Sequence, residues 1–255
     1  MTADRWQLKQ LAIVGVVGVQ NLSVQDYLNR VQGGSGTASA IRAAPTADDI
    51  AAFAGSGLAP AGVITRINDQ FENLQPQSIA GIDYGIAWRK STVHLGKFGV
   101  NVDATTLDKF YQPPSLAVQS LFAARAAGLV NAATPLANPG NQLEALGNPR
   151  VKATTSLTWE LAPVQVGASV VYTGKTQDTN FLSTSGVPWP VASMTVVNLY
   201  GQYTFRKVFH AHDLQLRLGA RNLFNRSPPL ESDGYNGALF VPYGRYLYAS
   251  FGVLL

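Results

Sequence analysis

Long runs of alternating apolar and polar residues restrict this chain more than any other feature of its sequence. Over Asp213–Leu255, Leu214, Leu216, Leu218 and Ala220 alternate with Gln215, Arg217, Gly219 and Arg221. That period of two belongs to a β-strand with one apolar and one polar face. A polar connection containing Gly and Pro follows. Gly244–Leu255 then places Leu247, Ala249, Phe251, Val253 and Leu255 on one face. A soluble protein seldom ends mid-strand on an apolar residue, whereas a strand that closes a barrel inside a membrane has reason to.

The same alternation predicts strands at about Val63–Glu72, Gln77–Arg89, Gly96–Phe110, Arg150–Leu161, Val164–Gly174, Met194–Phe205, Leu214–Phe224 and Arg245–Leu255, with another within Asp4–Ile13. Most are longer than the roughly 5–6 residues usual in soluble sheets. They match the ~9–11 residues that a tilted strand needs to cross a bilayer. Ser91–Leu95, Ala162–Pro163 and Arg206–Asp213 form short connections, whereas residues 111–149, 175–193 and 225–244 form long ones. Short turns at one end and long loops at the other are the pattern of outer-membrane barrels. On the apolar parity, Trp88, Phe98, Trp159, Tyr203 and Phe205 fall beside the short turns, and Phe110 and Tyr172 at the long-loop ends. Bilayer interfaces select two such bands of rings. The opposite parity carries Asp83, Arg89, Thr155, Gln165, Ser169, Gln202, Gln215, Arg217 and Arg221. These are expected to face the lumen, where they could hydrate a channel or hold a plug.

Two segments emerge, residues 1–62 and 63–255. The first is expected to hold one barrel strand and a long connection with short helices at Gln25–Val31 and Thr46–Ala54, separated by Gly33–Gly36. Thr46 suits an N-cap, with Asp48 and Asp49 in the first turn. Another helix is expected in the loop over Ser115–Gly128. The apolar run Leu11–Val19 imitates a signal peptide but lacks a nearby small-residue cleavage site, so it reads as strand.

Charged residues make up 13% of the 255, although hydrophobic residues are an ordinary 46%. Soluble domains carry roughly 25% charge. Lipid on one side of alternating strands and water on the other accounts for that deficit. A formal net charge of +4 with scattered Lys and Arg gives nucleic-acid binding no basis. No Cys is present, which excludes disulfides and thiolate metal sites.

Catalytic chemistry is equally thin. Tyr172–Thr176 ends like a phosphate-binding loop, but Ser169 stands where that loop needs Gly. His210 and His212 could ligate a metal at i, i+2, yet one other histidine, His94, is present; a solvated turn explains them better. Gly34–Gly36 is not a nucleophile elbow. Asp48, Asp49, Asp103 and Asp108 have no recognisable acid/base partner. No enzyme activity, cofactor or metal is expected. Recognition is better placed on the long loops, where Phe181, Trp189, Tyr235 and Phe240 are candidate ligand contacts.

Gly219-Ala220-Arg221-Asn222-Leu223-Phe224-Asn225, then Pro228-Pro229, then Tyr243-Gly244-Arg245 and a terminal strand resembles the C-terminal signature of TonB-dependent outer-membrane receptors. Gly81-Ile82-Asp83, soon after Asn73, resembles a second pattern of that family. The family usually ends in an aromatic residue, and this chain ends in Leu255. The resemblance implies an all-β fold: an antiparallel transmembrane β-barrel, here about nine strands of a larger one, with short helices in its loops. It also implies that the first long connection lies on the periplasmic side. Such transporters have 22 strands. The implied activity is uptake of a scarce nutrient, such as siderophore-iron, a cobalamin or an oligosaccharide. Implied partners are outer-membrane lipid, the remaining strands and plug, and an inner-membrane TonB-type energy transducer acting through the plug. On this reading the chain is a truncated product or fragment that needs the rest of its barrel. Two alternatives are a self-contained small outer-membrane barrel (a pore or adhesin) and a soluble β-sandwich binding module.

Overall fold

The structure, a computed structural model, describes residues 1–137, 140–145, 147–206 and 213–254. Eight strands form one sheet: β1 Thr2–Gln10, β2 Gln77–Thr92, β3 Gly96–Tyr111, β4 Val151–Leu161, β5 Val164–Thr173, β6 Met194–Arg206, β7 Asp213–Arg221 and β8 Tyr246–Leu254. Each pairs antiparallel with the next in this order, so the sheet is an up-and-down meander with β1 and β8 at its edges. The sequence anticipates nine sheet strands. Val63–Glu72 is the exception, because it supplies only Ile64–Ile67, which pairs with Ala40–Arg42 in a separate ribbon. Glu72–Leu74 pairs with Ile13–Gly15 in another. Asp69 interrupts the run and is engaged elsewhere: its carboxylate accepts the Val17 and Gly18 N–H groups at 3.1 and 3.0 Å.

Pairing register sorts the side chains by face. One row runs Trp88, Val100, Leu157, Ala168, Leu199, Ala220, Leu247 across seven strands. The neighbouring row on the other face runs Ala87, Asn101, Ser156, Ser169, Asn198. There Asn198 Nδ2 donates to Ser169 Oγ at 3.0 Å. Among the described residues no second layer covers the apolar face, and Trp88 remains 47% exposed. A β-sandwich would bury that face. The clusters of buried apolar side chains lie outside the sheet's apolar face, among the connections.

Two residues fall on the face opposite to expectation. A bulge at Asp108 shifts the β2–β3 register. Phe110 therefore stands opposite Ile79, on the face of Asp83. Thr155 stands opposite Val102 and Val170, on the apolar face. For Phe110 the bulge is the cause, since a slip of one residue moves every later side chain across the sheet. Thr155 follows from plain alternation, because it shares the parity of Leu157 and Trp159 along β4, which has no register shift.

The connection from β1 to β2 is placed against expectation. Gln10 lies opposite Gln77, and β3 ends at Tyr111 opposite Ser78. Residues 11–76 therefore leave from the same rim as the three other long connections, not from the short-turn end. The reason is the direction of β1, which runs antiparallel to β2 and so points its C-terminal end at that rim.

Four connections build this rim. Helix α1, Val19–Val31, extends further than the predicted Gln25–Val31. Helix α2, Ala47–Phe53, has the expected Thr46 N-cap in a capping box with Asp49. Helix α3, Leu116–Ala126, is capped by Ser115. Val24 and Leu28 of α1 pack with Leu121 of α3, Val130 and Leu136. Buried Asn21 accepts the Ala137 N–H at 2.9 Å and donates to the Val17 and Ala137 carbonyls. Asp26, also buried, accepts from the Arg42 guanidinium and the Thr37 N–H. Thr176–Leu182 pairs with Pro188–Val191 in the connection after β5. This ribbon reaches the last connection through buried Asp178, which accepts from the N–H and hydroxyl of Ser232.

Asn222 and Asn225, which follow β7, adopt positive φ of 48° and 52°, a region that Asn tolerates better than most residues. Asn222 is buried. It accepts the Arg226 N–H at 2.8 Å and donates to the carbonyls of Arg226 (2.8 Å) and Tyr243 (3.1 Å). Its own N–H donates to Asn198 Oδ1 at 3.0 Å. Asn225 Oδ1 accepts the Arg245 N–H at 2.8 Å, and a Cβ on Gly244 would sit 2.7 Å from that oxygen. These residues form a buckle that brings the chain from β7 back to the start of β8.

Asn222→Ala is expected to lower unfolding free energy by about 2 kcal/mol or more, because it strands buried backbone groups in a strained turn. Denaturant titration in detergent measures this. For Asp178, burial pushes the carboxyl up, but hydrogen bonds from Ser232 and Asn180 outweigh it and hold it below the usual carboxylate range. Its contribution is complete above the unfolded-state value of about 3.9 and is lost as pH falls through the lower folded-state value. Exchange protection of the Ser232 amide, corrected for intrinsic rates, is therefore expected to persist at neutral pH and fall in strong acid. In Asp178→Asn it is expected to be weak already at pH 7.

Candidate ligand-facing surface

The polar face of β4–β8 floors a cavity of about 1360 Å³, which residues 239–245 roof from the rim. Ser156, Ser169, Asn198, Tyr200, Arg217, Arg221, Tyr246 and Tyr248 line it from the sheet. Phe240, Tyr243 and Arg245 line it from the last connection and the start of β8. Glycines let the rings lie close along the sheet. A Cβ on Gly167 would meet the Tyr200 ring at 2.2 Å, and one on Gly219 would meet the Tyr248 ring at 2.4 Å. The Arg217 guanidinium lies 4.4 Å from the centre of the Tyr200 ring. It also donates to Gln202 Oε1 from Nε and Nη2, at 3.0 and 2.8 Å. Tyr246 and Tyr248 stack at 6.4 Å.

The lining holds three arginines and four tyrosines, and no Asp or Glu among the described residues. The other end of this face is acidic. Asp4 stands opposite Asp83, Asp103 lies one row away opposite Gly85, and Thr105 Oγ1 donates to Asp83 Oδ1 at 2.6 Å. Five strand spacings, roughly 24 Å, separate β2 from β7. Uncompensated guanidinium groups beside aromatic rings can hold an anionic or planar group through charge-assisted hydrogen bonds and stacking.

Asp83, Arg89, Gln215, Arg217 and Arg221 thus share one face, but only Arg217 and Arg221 line the cavity. Phe181 and Trp189 meet edge to face at 5.7 Å, and Trp189 Nε1 donates to the Leu230 carbonyl at 3.1 Å. Both are exposed on the rim, as is Tyr235. Phe240 is 4% exposed and packs with Val191 and Met194. In the Gly219–Arg245 signature, Gly219, Asn222, Asn225 and Gly244 shape the joint, while Pro228 and Pro229 are half-buried and Phe224 is exposed. Leu223 N–H donates to the Val197 carbonyl at 2.8 Å. His210 and His212 lie outside the described residues. Tyr200, Tyr246 and Tyr248 escape the sequence reading, although Tyr246 and Tyr248 alternate with Leu247 and Ala249 and so carry the polar parity.

No curated protein sequence matches the chain significantly. Among solved structures, a G324V mutant of the ferric enterobactin receptor from Pseudomonas aeruginosa is similar at 16% identity and a TM-score of 0.42. The alignment covers 73% of this chain and 23% of that one, so the chain spans less than a quarter of that receptor's length. The model of the TonB-dependent receptor-like β-barrel family matches residues 19–223. With well over half of its length matched to that barrel, the chain belongs to the TonB-dependent receptor family.

Proposed function

We propose that this chain forms the C-terminal part of the barrel of an outer-membrane receptor for active uptake of a scarce nutrient. The observation that carries the reading is the sorting of the connections: four long ones meet at one rim, above a sheet whose apolar face has no protein cover among the described residues. In a bilayer the rim lies outside the cell and gathers ligand. The apolar face contacts outer-membrane lipid. The polar face meets a plug, which an inner-membrane TonB-type transducer pulls. Siderophore-iron, a cobalamin and an oligosaccharide are the ligand classes in view. The arginine- and tyrosine-rich cavity, lacking carboxylates, supports an anionic ferric siderophore over the other two.

Binding to the refolded chain in detergent, followed by tryptophan fluorescence, tests this reading with a ferric siderophore, a cobalamin and a neutral oligosaccharide. The ferric ligand is expected to bind, and Arg217→Ala with Arg221→Ala to weaken it by about tenfold or more. Trp189→Ala is expected to weaken it less, because a rim ring contributes by stacking alone. Preferential binding of the neutral oligosaccharide, unchanged by the arginine substitutions, would overturn the siderophore assignment.

A further inference from the structure

Strand β1 turns its polar parity toward the apolar face of the sheet. Arg5 stands opposite Ile82, Gln7 opposite Ala80 and Lys9 opposite Ser78, all on the face of Trp88. On the far side of β2, Lys109 also stands opposite Ala80. Three exposed cations therefore share the outward face at the long-loop end, around the small side chains of Ala80 and Ser78. Lys109 lies two strand spacings from β1, roughly 10 Å, and Arg5 and Lys9 are roughly 13 Å apart along it. Such separations let long side chains converge over the gap between them. Lys109 Nζ is 5.9 Å from the centre of the Tyr111 ring, an amphipathic ring of the kind found at membrane interfaces. Among the described residues none of the three cations is ion-paired.

Bare cations on a lipid-facing surface are costly unless they reach the interface and find anions there. We propose that Arg5, Lys9 and Lys109 form a site for the phosphorylated headgroup of a lipid in the outer leaflet. This rests on the membrane reading above. Gln7, between the two β1 cations, adds a neutral donor. Headgroup phosphate supplies the complementary charge, and its acyl chains lie along Ile82, Tyr84 and Ile86, which continue the same face toward the short turns.

The test inserts the full chain into phosphatidylcholine vesicles carrying either diphosphoryl lipid A or lipid A stripped of both phosphates. Retained lipid is counted by native mass spectrometry, and insertion is scored by protection of the strands from protease added outside the vesicles. The phosphorylated lipid is expected to be retained about tenfold more strongly. The triple variant Arg5→Gln, Lys9→Gln, Lys109→Gln is expected to abolish the preference. Lys90→Gln, a cation on the same face at the short-turn end, is expected to leave it intact. Equal retention of the two lipids by the unmodified chain would overturn the proposal without any variant. Saturable binding of inorganic phosphate to the chain in detergent, tighter than that of diphosphoryl lipid A and lost in the triple variant, would assign the site to free phosphate and overturn the lipid assignment. Insertion without preference defeats this inference alone, whereas failure to insert into either vesicle defeats the membrane reading and this inference with it.

Discussion

Backbone hydrogen bonding governs this molecule. Within hydrocarbon no water is available to unpaired N–H and C=O groups, so strands that cross must pair with one another. The meander meets that demand for its six inner strands with continuous ladders from β1 to β8, and among the described residues the outer edges of β1 and β8 are left open for pairing with further strands. Continuous pairing in turn locks register, and register decides which side chains meet lipid and which meet water. The apolar row through Leu157 and Leu199 and the polar row through Ser156 and Asn198 are adjacent products of a single alignment. Everything placed on either face depends on it.

The rim follows a different rule. Above the sheet, the chain is organised by buried polar side chains rather than by alternation. Asn21 ties the first long connection to the second, and Asp178 ties the third to the fourth. The Asn222 buckle joins the last connection to both β6 and the start of β8. These side chains satisfy backbone groups that no ladder reaches, which lets irregular loops hold a shape over a rigid base. The cavity lies where the two regimes meet, with a floor set by register and a roof set by the buckle.

That difference explains what the sequence made legible. Most strand positions, the short turns after β2 and β4 and the helices after Thr46 and Ser115 follow from local periodicity and capping, and the structure has them. The short connection expected at Arg206–Asp213 lies mostly outside the described residues. The N-terminal connection leaves from the end opposite to the one the resemblance implies, because its placement depends on the direction of β1, and Asp4–Ile13 carries no local mark of direction. Phe110 stands on the face opposite to its sequence parity, and nothing in the alternation announces the bulge at Asp108 that puts it there. Val63–Glu72 reads as a strand, but Asp69 stops it by binding the amides ahead of α1. The signature residues were recognisable as a pattern; their role in a turn at positive φ is visible only in three dimensions. Arg217 and Arg221 follow from parity, while their meeting with Tyr200 and Tyr248 depends on cross-strand partners that the sequence does not specify.

The claim that the sheet crosses a membrane with its long connections outward is tested most directly by single-cysteine labelling, because the chain has no Cys of its own. Val93 sits in the short turn between β2 and β3, and Tyr235 in the last long connection; both are exposed. On intact cells, a membrane-impermeant maleimide should label Tyr235→Cys and leave Val93→Cys unmodified until the envelope is permeabilised. Labelling of Val93→Cys on intact cells, with Tyr235→Cys protected, would contradict the orientation; equal labelling of both would contradict the crossing itself.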